Sequence, residues 1–376
     1  MKIAVNTRLL IKDKLEGIGW FTKETLSRIT RCHPEHDFIF IFDRKFDDTF
    51  IFNQNISPVK IFPQARHPFL YYIWFEYSVP KILKSTQADV FLSPDGYLSL
   101  SSPVPSIQVI HDLNFEHYPD DLPVFEQKYY NYYFPKFAHK ASRIATVSQF
   151  SKNDIIEQYA IESEKIDVLY NGANTIYQPS DENQKKLTLK KYTEGHPYFL
   201  FVGSLHPRKN LVNLFKAFDI FKKNDNSGIK LLIVGAKKWW TNAIEEAYNN
   251  LSYKRDVLFT GRLGLEELNK VMGAALSLTY ISYFEGFGIP IVEAMQAEVP
   301  VITSGITSMP EIAGNAALLV NPFDPDNIAS AMTEIARNEK TRMQLIEKGK
   351  IQCKKFSWDK TAERLWQTIE KVLNQL

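Results

Sequence analysis

The stretch Tyr283–Met295, which reads YFEGFGIPIVEAM, decides most of what this sequence predicts. Pro290 lacks an amide hydrogen and has a fixed φ angle, so it is typical of the first turn of a helix. Gly286 and Gly288 come just before that turn. Unpaired amides and the positive end of a helix dipole gather there, so the stretch predicts a site for an anionic or hydroxyl-rich ligand.

Two carboxylates frame the same stretch. Glu285 precedes the predicted helix and Glu293 follows eight positions later, about two helical turns at ~3.6 residues per turn. The spacing indicates that both could reach one ligand and bind its hydroxyl groups. These residues also have a purely structural interpretation. Glu293 could be an ordinary residue of the helix, and Phe284 and Phe287 could belong to the hydrophobic core.

The length and charge of the chain bound its class. At 376 residues it suits two domains of ordinary size, each able to bury a full sheet. The 45 basic and 43 acidic side chains leave a net charge of +2, so no overall field favours nucleic acid as a partner.

The cysteines and the apolar runs indicate the compartment. Cys32 and Cys353 are far apart and have no metal-ligand spacing, which favours reduced thiols over a disulfide framework. Residues Met1–Leu10 carry charges within an apolar strand, unlike a signal peptide. No run of about 18 apolar residues predicts a membrane span. We therefore expect a cytoplasmic protein that is soluble or peripheral.

Apolar β-rich runs alternate with helical patterns throughout, as in buried parallel sheets. The first series of predicted strands is Ile3–Val5, Phe38–Phe42, Val90–Leu92, Ile107–Ile110, Ile144–Val147 and Ile166–Leu169. The second is Tyr198–Val202, Leu231–Val234, Val257–Thr260, Leu276–Tyr280, Val299–Thr303 and Ala317–Val320. The pattern predicts an α/β chain with two doubly wound halves, whose ligands bind at the carboxyl ends of the strands.

Two further segments complete the predicted organisation. Gln178–Pro197 is polar and charged, contains Pro and Gly breakers and shows no strand, so we expect the linker between the halves nearby. Phe356–Leu376 reads as a long amphipathic ending that should pack on another element.

A basic loop follows the first strand of the second half. Gly203–Asn210, which reads GSLHPRKN, places Arg208 and Lys209 just before a helix that begins near Leu211. A guanidinium and an ammonium together could neutralise a departing diphosphate. The alternative is a solvated basic turn capped by Asn210.

The N-terminal half contains weaker motifs. Gly17 and Gly19 are predicted to form a turn before a helix from about Trp20, which would admit a phosphate or an acceptor. Thr22 replaces the third glycine of the dinucleotide fingerprint, so a dehydrogenase is disfavoured. His111 follows a predicted strand and is either structural or part of a site.

One acidic motif and two aromatic segments each have alternative interpretations. Asp324-Pro325-Asp326 superficially resembles a metal-binding Asp-x-Asp, but its position predicts a helix start, so no metal is implied. Aromatic residues crowd Phe69–Tyr77 and Tyr129–Phe137, beside basic side chains. They could be helical core or a face that touches a lipid-linked acceptor or a membrane surface.

The ordered pair RKN and FEGFGIPIVEA, with GIG, VIHD and the terminal SWDKTAERL, resembles the retaining glycosyltransferases of family 4 (glycosyl transferases group 1), in their bacterial mannosyltransferase-like branch. The resemblance implies a GT-B fold of two facing Rossmann-like domains with a cleft between them. It implies an acceptor-side domain at 1–175, a nucleotide-sugar domain at 176–355 and a helix at 356–376 that crosses back.

The resemblance also implies roles for individual residues. Arg208 and Lys209 would stabilise the diphosphate, Glu285 would orient the sugar, and Glu293 would hold the ribose. Family members often carry an Arg where this chain has Ser204, so Arg208 would take that role. His111 would lie near the donor sugar. The other expected donor-binding residues are Gly17, Gly19, Gly203, Gly286, Phe287, Gly288 and Ile289.

The resemblance implies that the chain transfers a hexose from a nucleoside-diphosphate sugar to a glycan or lipid-linked acceptor during cell-surface polysaccharide synthesis. Mannose is the preferred candidate for the hexose. The resemblance implies no cofactor and no metal. It does imply peripheral contact with the inner face of the membrane. Two alternatives stay open. The chain could hydrolyse or epimerise a nucleotide sugar, or it could be a non-catalytic subunit that binds one.

Overall fold

Two parallel β-sheets organise the chain, and each belongs to its own folding unit. The computed structural model describes residues 1–225 and 227–376. Unit 1 comprises Met1–Gly172 and Ser357–Leu376, and unit 2 comprises Ala173–Phe356. Both units are α/β, so the predicted fold class is confirmed.

The sheet of unit 1 has seven strands in the order β3-β2-β1-β4-β5-β6-β7. Their bounds are β1 Lys2–Asn6, β2 Asp37–Phe42, β3 Ile56–Lys60, β4 Val90–Ser93, β5 Ser106–Ile110, β6 Arg143–Thr146 and β7 Ile166–Val168. In the central register, Ala4 pairs with Ile39 on one side and with Phe91 on the other. All three side chains are buried, as expected of a sheet covered on both faces.

The sheet of unit 2 has six strands in the order β10-β9-β8-β11-β12-β13. Their bounds are β8 Tyr198–Val202, β9 Lys230–Val234, β10 Val257–Gly261, β11 Ser277–Tyr280, β12 Val301–Ser304 and β13 Ala317–Val320. Leu200 on the central strand pairs with Leu232 and Leu278. Every strand pairing described in the two sheets is parallel.

Helices connect the strands of both sheets. In unit 1 they are α1 Gly17–Cys32, α2 Pro68–Ile73, α3 Val79–Thr86, α4 Asn114–His117, α5 Val124–Lys140 and α6 Gln149–Tyr159. In unit 2 they are α7 Glu182–Thr193, α8 Leu211–Lys223, α9 Asn242–Asn249, α10 Leu265–Gly273, α11 Ile289–Gln296, α12 Met309–Ala313, α13 Pro325–Arg337 and α14 Glu339–Gln352. The last helix, α15 Trp358–Leu373, returns to unit 1.

All twelve predicted strands form, but the sequence did not predict β3. Its sequence ISPVK contains Pro58, which removes a donor from the ladder and argues against a strand. The structure places β3 at the edge of the sheet, where it pairs only with β2 and where a proline is tolerated.

The segment Gln178–Pro197 is not simply a linker. It contains α7, which Asp181 caps by accepting a hydrogen bond from the amide of Gln184, and which packs within unit 2. The chain passes from unit 1 to unit 2 before this segment, between Gly172 and Ala173. A side chain at Gly172 would meet the backbone of Trp358 at 2.2 Å, so only glycine fits where the returning chain passes.

Helix α15 packs against α1 through one apolar face. Its Trp366 ring stacks on His33 with ring centroids 3.6 Å apart, and its Thr361 hydroxyl donates to the carbonyl of Tyr170 at 2.7 Å. The tail is therefore an integral part of unit 1. The two cysteines, Cys32 and Cys353, are free thiols as predicted.

Candidate functional site

The strand order of each sheet reverses direction once, and such switch points are where open α/β sheets bind ligands at the carboxyl ends of their strands. In unit 2 the switch lies between β8 and β11. The loop after β8 is Gly203–Asn210, and the loop after β11 contains Glu285–Gly288. The two motifs that the sequence singled out are therefore brought together by topology.

The loop after β8 is held in a defined conformation. Pro207–Lys209 form a short 3₁₀ turn, which the imidazole of His206 caps by accepting from the amide of Arg208 at 3.3 Å. Asn210 has a φ of 62°, and its side chain donates to the carbonyls of Ile281 and Pro322 at 3.1 and 2.6 Å. These bonds fix the loop to the exit of β11, so the predicted alternative of a solvated turn is wrong.

Glu285 lies between the two basic residues of that loop. Arg208 Nη1 donates to Glu285 Oε2 at 2.7 Å, and Lys209 Nζ forms an ion pair with Glu285 Oε1. The Tyr280 hydroxyl donates to the same Oε1 at 2.9 Å and accepts from Lys209 at 2.5 Å. Lys209 is 7% exposed and Glu285 is 5% exposed, so this is a buried ionic cluster.

Two cations of the cluster, Arg208 and Lys209, fix the ionisation state of its carboxylate. Burial alone would raise the pKa of Glu285, but Arg208 and Lys209 outweigh it and lower that pKa to about 2. Two cations therefore share one permanent carboxylate. A guanidinium and an ammonium held in a region of low dielectric suit an anionic ligand beside them.

The glycine loop after Glu285 leads into α11 as predicted. Gly288 has a φ of 91° and precedes the helix, in which Pro290 occupies the first turn. Gly286 is buried, and the ring of Phe287 is also buried, with an edge contact to Phe356 at 5.5 Å. Any ligand contact by Phe287 would therefore use its backbone, while Ile289 begins the helix.

Glu293 lies on α11 and is partly buried. It is hydrogen-bonded to the hydroxyl of Tyr177, which is 3% exposed. Burial raises the pKa of Glu293 to about 8, and the bond from Tyr177 opposes this. The two glutamates of the motif are thus electrostatically opposite, because one is held ionised and the other favours the protonated form at neutral pH.

Gly203 directly follows β8, and its amide donates to the carbonyl of Val234 at 3.0 Å. A Cβ atom added at Gly235 would lie 1.9 Å from the carbonyl oxygen of Gly203. The exits of β8 and β9 therefore pack backbone to backbone at this edge, and a side chain at Gly235 would separate them.

The prediction for Gly17 and Gly19 is wrong in one respect. Both lie inside the first turn of α1, which begins at Gly17 rather than near Trp20. The amide of Trp20 already donates to the carbonyl of Glu16 at 2.9 Å. The helix therefore begins before the apolar residues on which the prediction was based. A side chain at Gly19 would meet Leu15 and the carbonyl of Leu9 at 3.0 and 3.1 Å, whereas Gly17 faces open space.

His111 directly follows β5 in unit 1, as predicted. Its Nε2 is hydrogen-bonded to the carbonyl of Pro94 at 2.8 Å, and its ring meets Phe21 edge-on with centroids 4.9 Å apart. Burial lowers the pKa of His111, so the neutral ring is favoured at pH 7.

Asp324 caps α13, accepting from the amides of Asp326 and Asn327 at 3.0 and 3.1 Å. The interpretation of the Asp-x-Asp motif as a helix start is confirmed. Tyr177 and Tyr280 were not predicted as site residues. Tyr280 ends a predicted strand five positions before Glu285, which was a usable signal, but Tyr177 has no motif around it.

Two family models match the chain. One, described as Glycosyl transferases group 1, matches residues 180–352, and the other, described as Glycosyltransferase Family 4, matches residues 22–176. O-antigen chain mannosyltransferase B of Escherichia coli is 28% identical over 68% of this chain and 67% of that protein. The Salmonella typhimurium O-antigen chain mannosyltransferase RfbU is 33% identical over 60% of this chain and 59% of that protein.

Solved structures match over nearly the whole chain. HepE of Anabaena, solved in complex with UDP and glucose, has a TM-score of 0.76 and 18% identity, covering 98% of this chain and 99% of that one. WaaG, a glycosyltransferase involved in lipopolysaccharide biosynthesis, has a TM-score of 0.75 and 15% identity over 96% and 98%. At these identities the likeness shows the fold, which is GT-B.

The raised pKa of Glu293 predicts a pH-dependent stability. Below the unfolded pKa of about 4.3 the buried acid is protonated in both states, and its contribution to stability is lost as pH rises toward 8. Glu293→Gln mimics the protonated acid, so its melting temperature minus that of the wild type should increase from pH 5 to pH 8. Thermal unfolding across this range measures the difference.

The control for this prediction is Glu266→Gln, which removes an exposed carboxylate of α10. It should not reproduce the trend. A constant difference between Glu293→Gln and wild type from pH 5 to pH 9 would show that Glu293 titrates normally in the folded protein.

Proposed function

This chain belongs to glycosyltransferase family 4. We propose that it transfers a hexose, with mannose as the preferred candidate, from a nucleoside-diphosphate sugar to a glycan or lipid-linked acceptor. The anomeric configuration of the sugar is retained. The observation that carries the proposal is the buried cluster of Arg208, Lys209 and Glu285. Its guanidinium and ammonium groups suit a diphosphate. The O-antigen mannosyltransferases among its relatives support mannose and a cell-surface polysaccharide.

In this proposal the donor binds to unit 2. The diphosphate lies beside Arg208 and Lys209, where the glycine loop leaves room for its oxygens. Glu285 orients the sugar and keeps the two cations in place. Glu293 binds the ribose hydroxyls, and Tyr177 holds its carboxyl group toward them. These are ordinary roles for buried, hydrogen-bonded groups at a switch point.

The reaction breaks the bond between the anomeric carbon and the diphosphate oxygen. Negative charge grows on that oxygen, and Arg208 and Lys209 stabilise it. The acceptor oxygen then bonds to the anomeric carbon on the same face, and its proton passes to the departing diphosphate. Both oxygens of Glu285 are engaged by cations and Tyr280, so Glu285 serves better as a counter-ion than as a nucleophile.

Replacing Lys209 tests the proposal. Lys209→Met keeps most of the buried apolar stem and removes the charge, so turnover should fall about 10²-fold or more. Turnover is measured with GDP-, UDP- and ADP-sugars, which also identifies the donor. The matched control is Lys222→Met, because Lys222 is equally buried and forms an ion pair with Asp256 at 2.9 Å.

Lys222→Met should lose stability without a comparable loss of turnover. If folded Lys209→Met retains wild-type turnover with every accepted donor, the role of Lys209 at the diphosphate is wrong. If no nucleotide sugar is turned over by the wild type, the proposed activity itself fails.

The positive cluster also implies that no divalent cation is needed. Arg208 and Lys209 supply charge that a metal ion would otherwise bring to the diphosphate, and Asp324 is committed to capping α13. Transfer should therefore persist in excess chelator and change little when magnesium or manganese is added. Loss of transfer in chelator, restored by either metal, would refute this.

We also propose that unit 1 binds an anionic membrane surface. Among the residues that the structure describes, no helix is both long and apolar enough to cross a bilayer. Trp74 and Phe75 are core, but other aromatic residues of α2, α5 and the π-helical turn Trp74–Ser78 after α2 are exposed. These are Phe69 at 66%, Tyr72 at 37%, Tyr77 at 62%, Phe125 at 73% and Tyr132 at 57%. We call this set the aromatic–basic face.

Three tyrosine rings of this face are connected through Tyr133. Tyr72 contacts Tyr77 and Tyr133 at 5.8 and 6.2 Å, and Tyr133 contacts Tyr132 at 4.9 Å, which joins α2 to α5. The exposed charged residues within 66–84 and 124–140 are all basic, and Glu126 of α5 is half-buried; the basic residues are Arg66, Lys81, Lys84, Lys128, Lys136 and Lys140. Glu76 is turned away and accepts from the amides of Leu100 and Ser101. Exposed rings beside lysines suit anionic headgroups.

Vesicle binding tests this surface. The wild type should co-sediment with phosphatidylglycerol-containing vesicles more than with pure phosphatidylcholine, and salt should weaken the binding. Replacing Phe69, Tyr77 and Phe125 together by serine should abolish it. The control replaces Phe323 and Met343 of unit 2, which are 57% and 52% exposed, by serine. Equal binding by both variants would contradict the proposal.

A further inference from the structure

A second polar cluster lies at the switch point of unit 1, between β1 and β4. Asp95 follows β4, and Asn6 and Arg8 come from the end of β1 and the loop after it. The side chains of Arg8 and Asp95 are 7% and 4% exposed, respectively, and their ion pair is 2.5 Å long. The function proposed above does not use these residues.

Asp95 organises the loop that carries it. Its Oδ1 accepts from Asn6 Nδ2 at 2.8 Å, from the Ser93 hydroxyl at 3.1 Å and from the amide of Tyr97 at 3.4 Å. Its Oδ2 accepts from Arg8 Nε at 2.5 Å. Both ends of the short loop from Ser93 to Tyr97 are therefore bound to one carboxylate, as an Asx-type turn with added partners.

Arg8 is enclosed as well as paired. Its guanidinium lies over the rings of Tyr97 and Tyr71, 4.4 and 5.1 Å from their centroids, and its Nη1 donates to the carbonyl of Ala65 at 3.0 Å. A buried ion pair is weak evidence for stability, because well-packed apolar residues often stabilise as much. Its retention at a switch point is better explained by what it positions.

The positioned group is the carbonyl of Pro94, next to Asp95. It accepts a hydrogen bond from His111 Nε2 at 2.8 Å. A carbonyl can only accept, so the proton of the neutral imidazole must be on Nε2 and the lone pair on Nδ1. The edge contact with Phe21 fixes the plane of the ring. The other side of the loop is fixed where Gln108 donates to the carbonyl of Gly96 at 2.6 Å.

We propose that Asp95, held by Arg8 and Asn6, is a positioning residue that keeps His111 in the Nε2–H tautomer, so that Nδ1 accepts a hydrogen bond from a sugar hydroxyl. The inference rests on the proposed function, and on the family resemblance, which implies that His111 lies near the donor sugar. It assigns to the buried ion pair of unit 1 a part in the reaction, although neither member touches substrate.

The test combines nuclear magnetic resonance with kinetics on the full chain. Long-range proton–nitrogen correlation on ¹⁵N-histidine-labelled protein, assigned with His111→Gln, should show a neutral Nε2–H ring at pH 7. In Asp95→Asn the His111 signals should shift or report mixed tautomers. Its kcat should fall about tenfold to 10²-fold, the range for a misplaced group, with a smaller change in donor KM.

The control is Asp167→Asn, which breaks another ion pair of unit 1, with Arg143 at 2.9 Å, away from His111. It should lose stability and leave the His111 signals unchanged. If Asp95→Asn does not fold, Asn6→Ala replaces it, since it removes one bond to Asp95 and leaves the ion pair.

An Nδ1–H or cationic His111 in the wild type overturns the proposal. So do wild-type His111 signals and turnover in a folded Asp95→Asn, or in Asn6→Ala if that variant has to be used. Full activity of His111→Gln would instead refute the role that the family resemblance implies for His111, while the tautomer measurement would still decide whether Asp95 positions the ring.

Discussion

The buried carboxylate of Glu285 is the constraint on which the rest of unit 2 depends. Without it, Arg208 and Lys209 would repel each other across one short turn, and the buried ammonium of Lys209 would lose the carboxylate with which it pairs. An unpaired buried charge is strongly destabilising. With Glu285 in place, ion pairs join the loops after β8 and β11.

Each unit has a cluster of buried ionic side chains at its switch point. At the switch point of unit 2 the carboxylate of Glu285 lies between two cations. At the switch point of unit 1 Arg8 and Asp95 cancel, and aromatic rings seal them. One arrangement is suited to attract an anion, and the other to hold a loop still. Glu293 adds a third state, a carboxyl group that burial keeps from ionising.

The sequence predicted most of the architecture because short apolar β-rich runs that alternate with helical patterns are typical of buried parallel strands. It failed at β3, where Pro58 suppresses the signal and only the edge position explains why it is tolerated. Motifs in a single loop, such as RKN and EGFGIP, were located correctly. Tyr177 was missed because it lies 116 residues before Glu293, and periodicity carries no information on contacts of that range. The pairing of Arg208 and Lys209 with Glu285 was equally out of reach, since charge signs suggest partners but burial decides them.

The way α15 completes unit 1 also bears on how the protein is made. Unit 2 is one continuous segment, Ala173–Phe356, inserted into unit 1. During synthesis the first 172 residues emerge early, yet the helix that covers α1 is translated only after all of unit 2. The inner unit can therefore finish folding first, although its sequence starts later. Until α15 arrives, the apolar face of α1, with His33 and the space beside Gly172, stays uncovered, so the nascent N-terminal half must wait in an incomplete state.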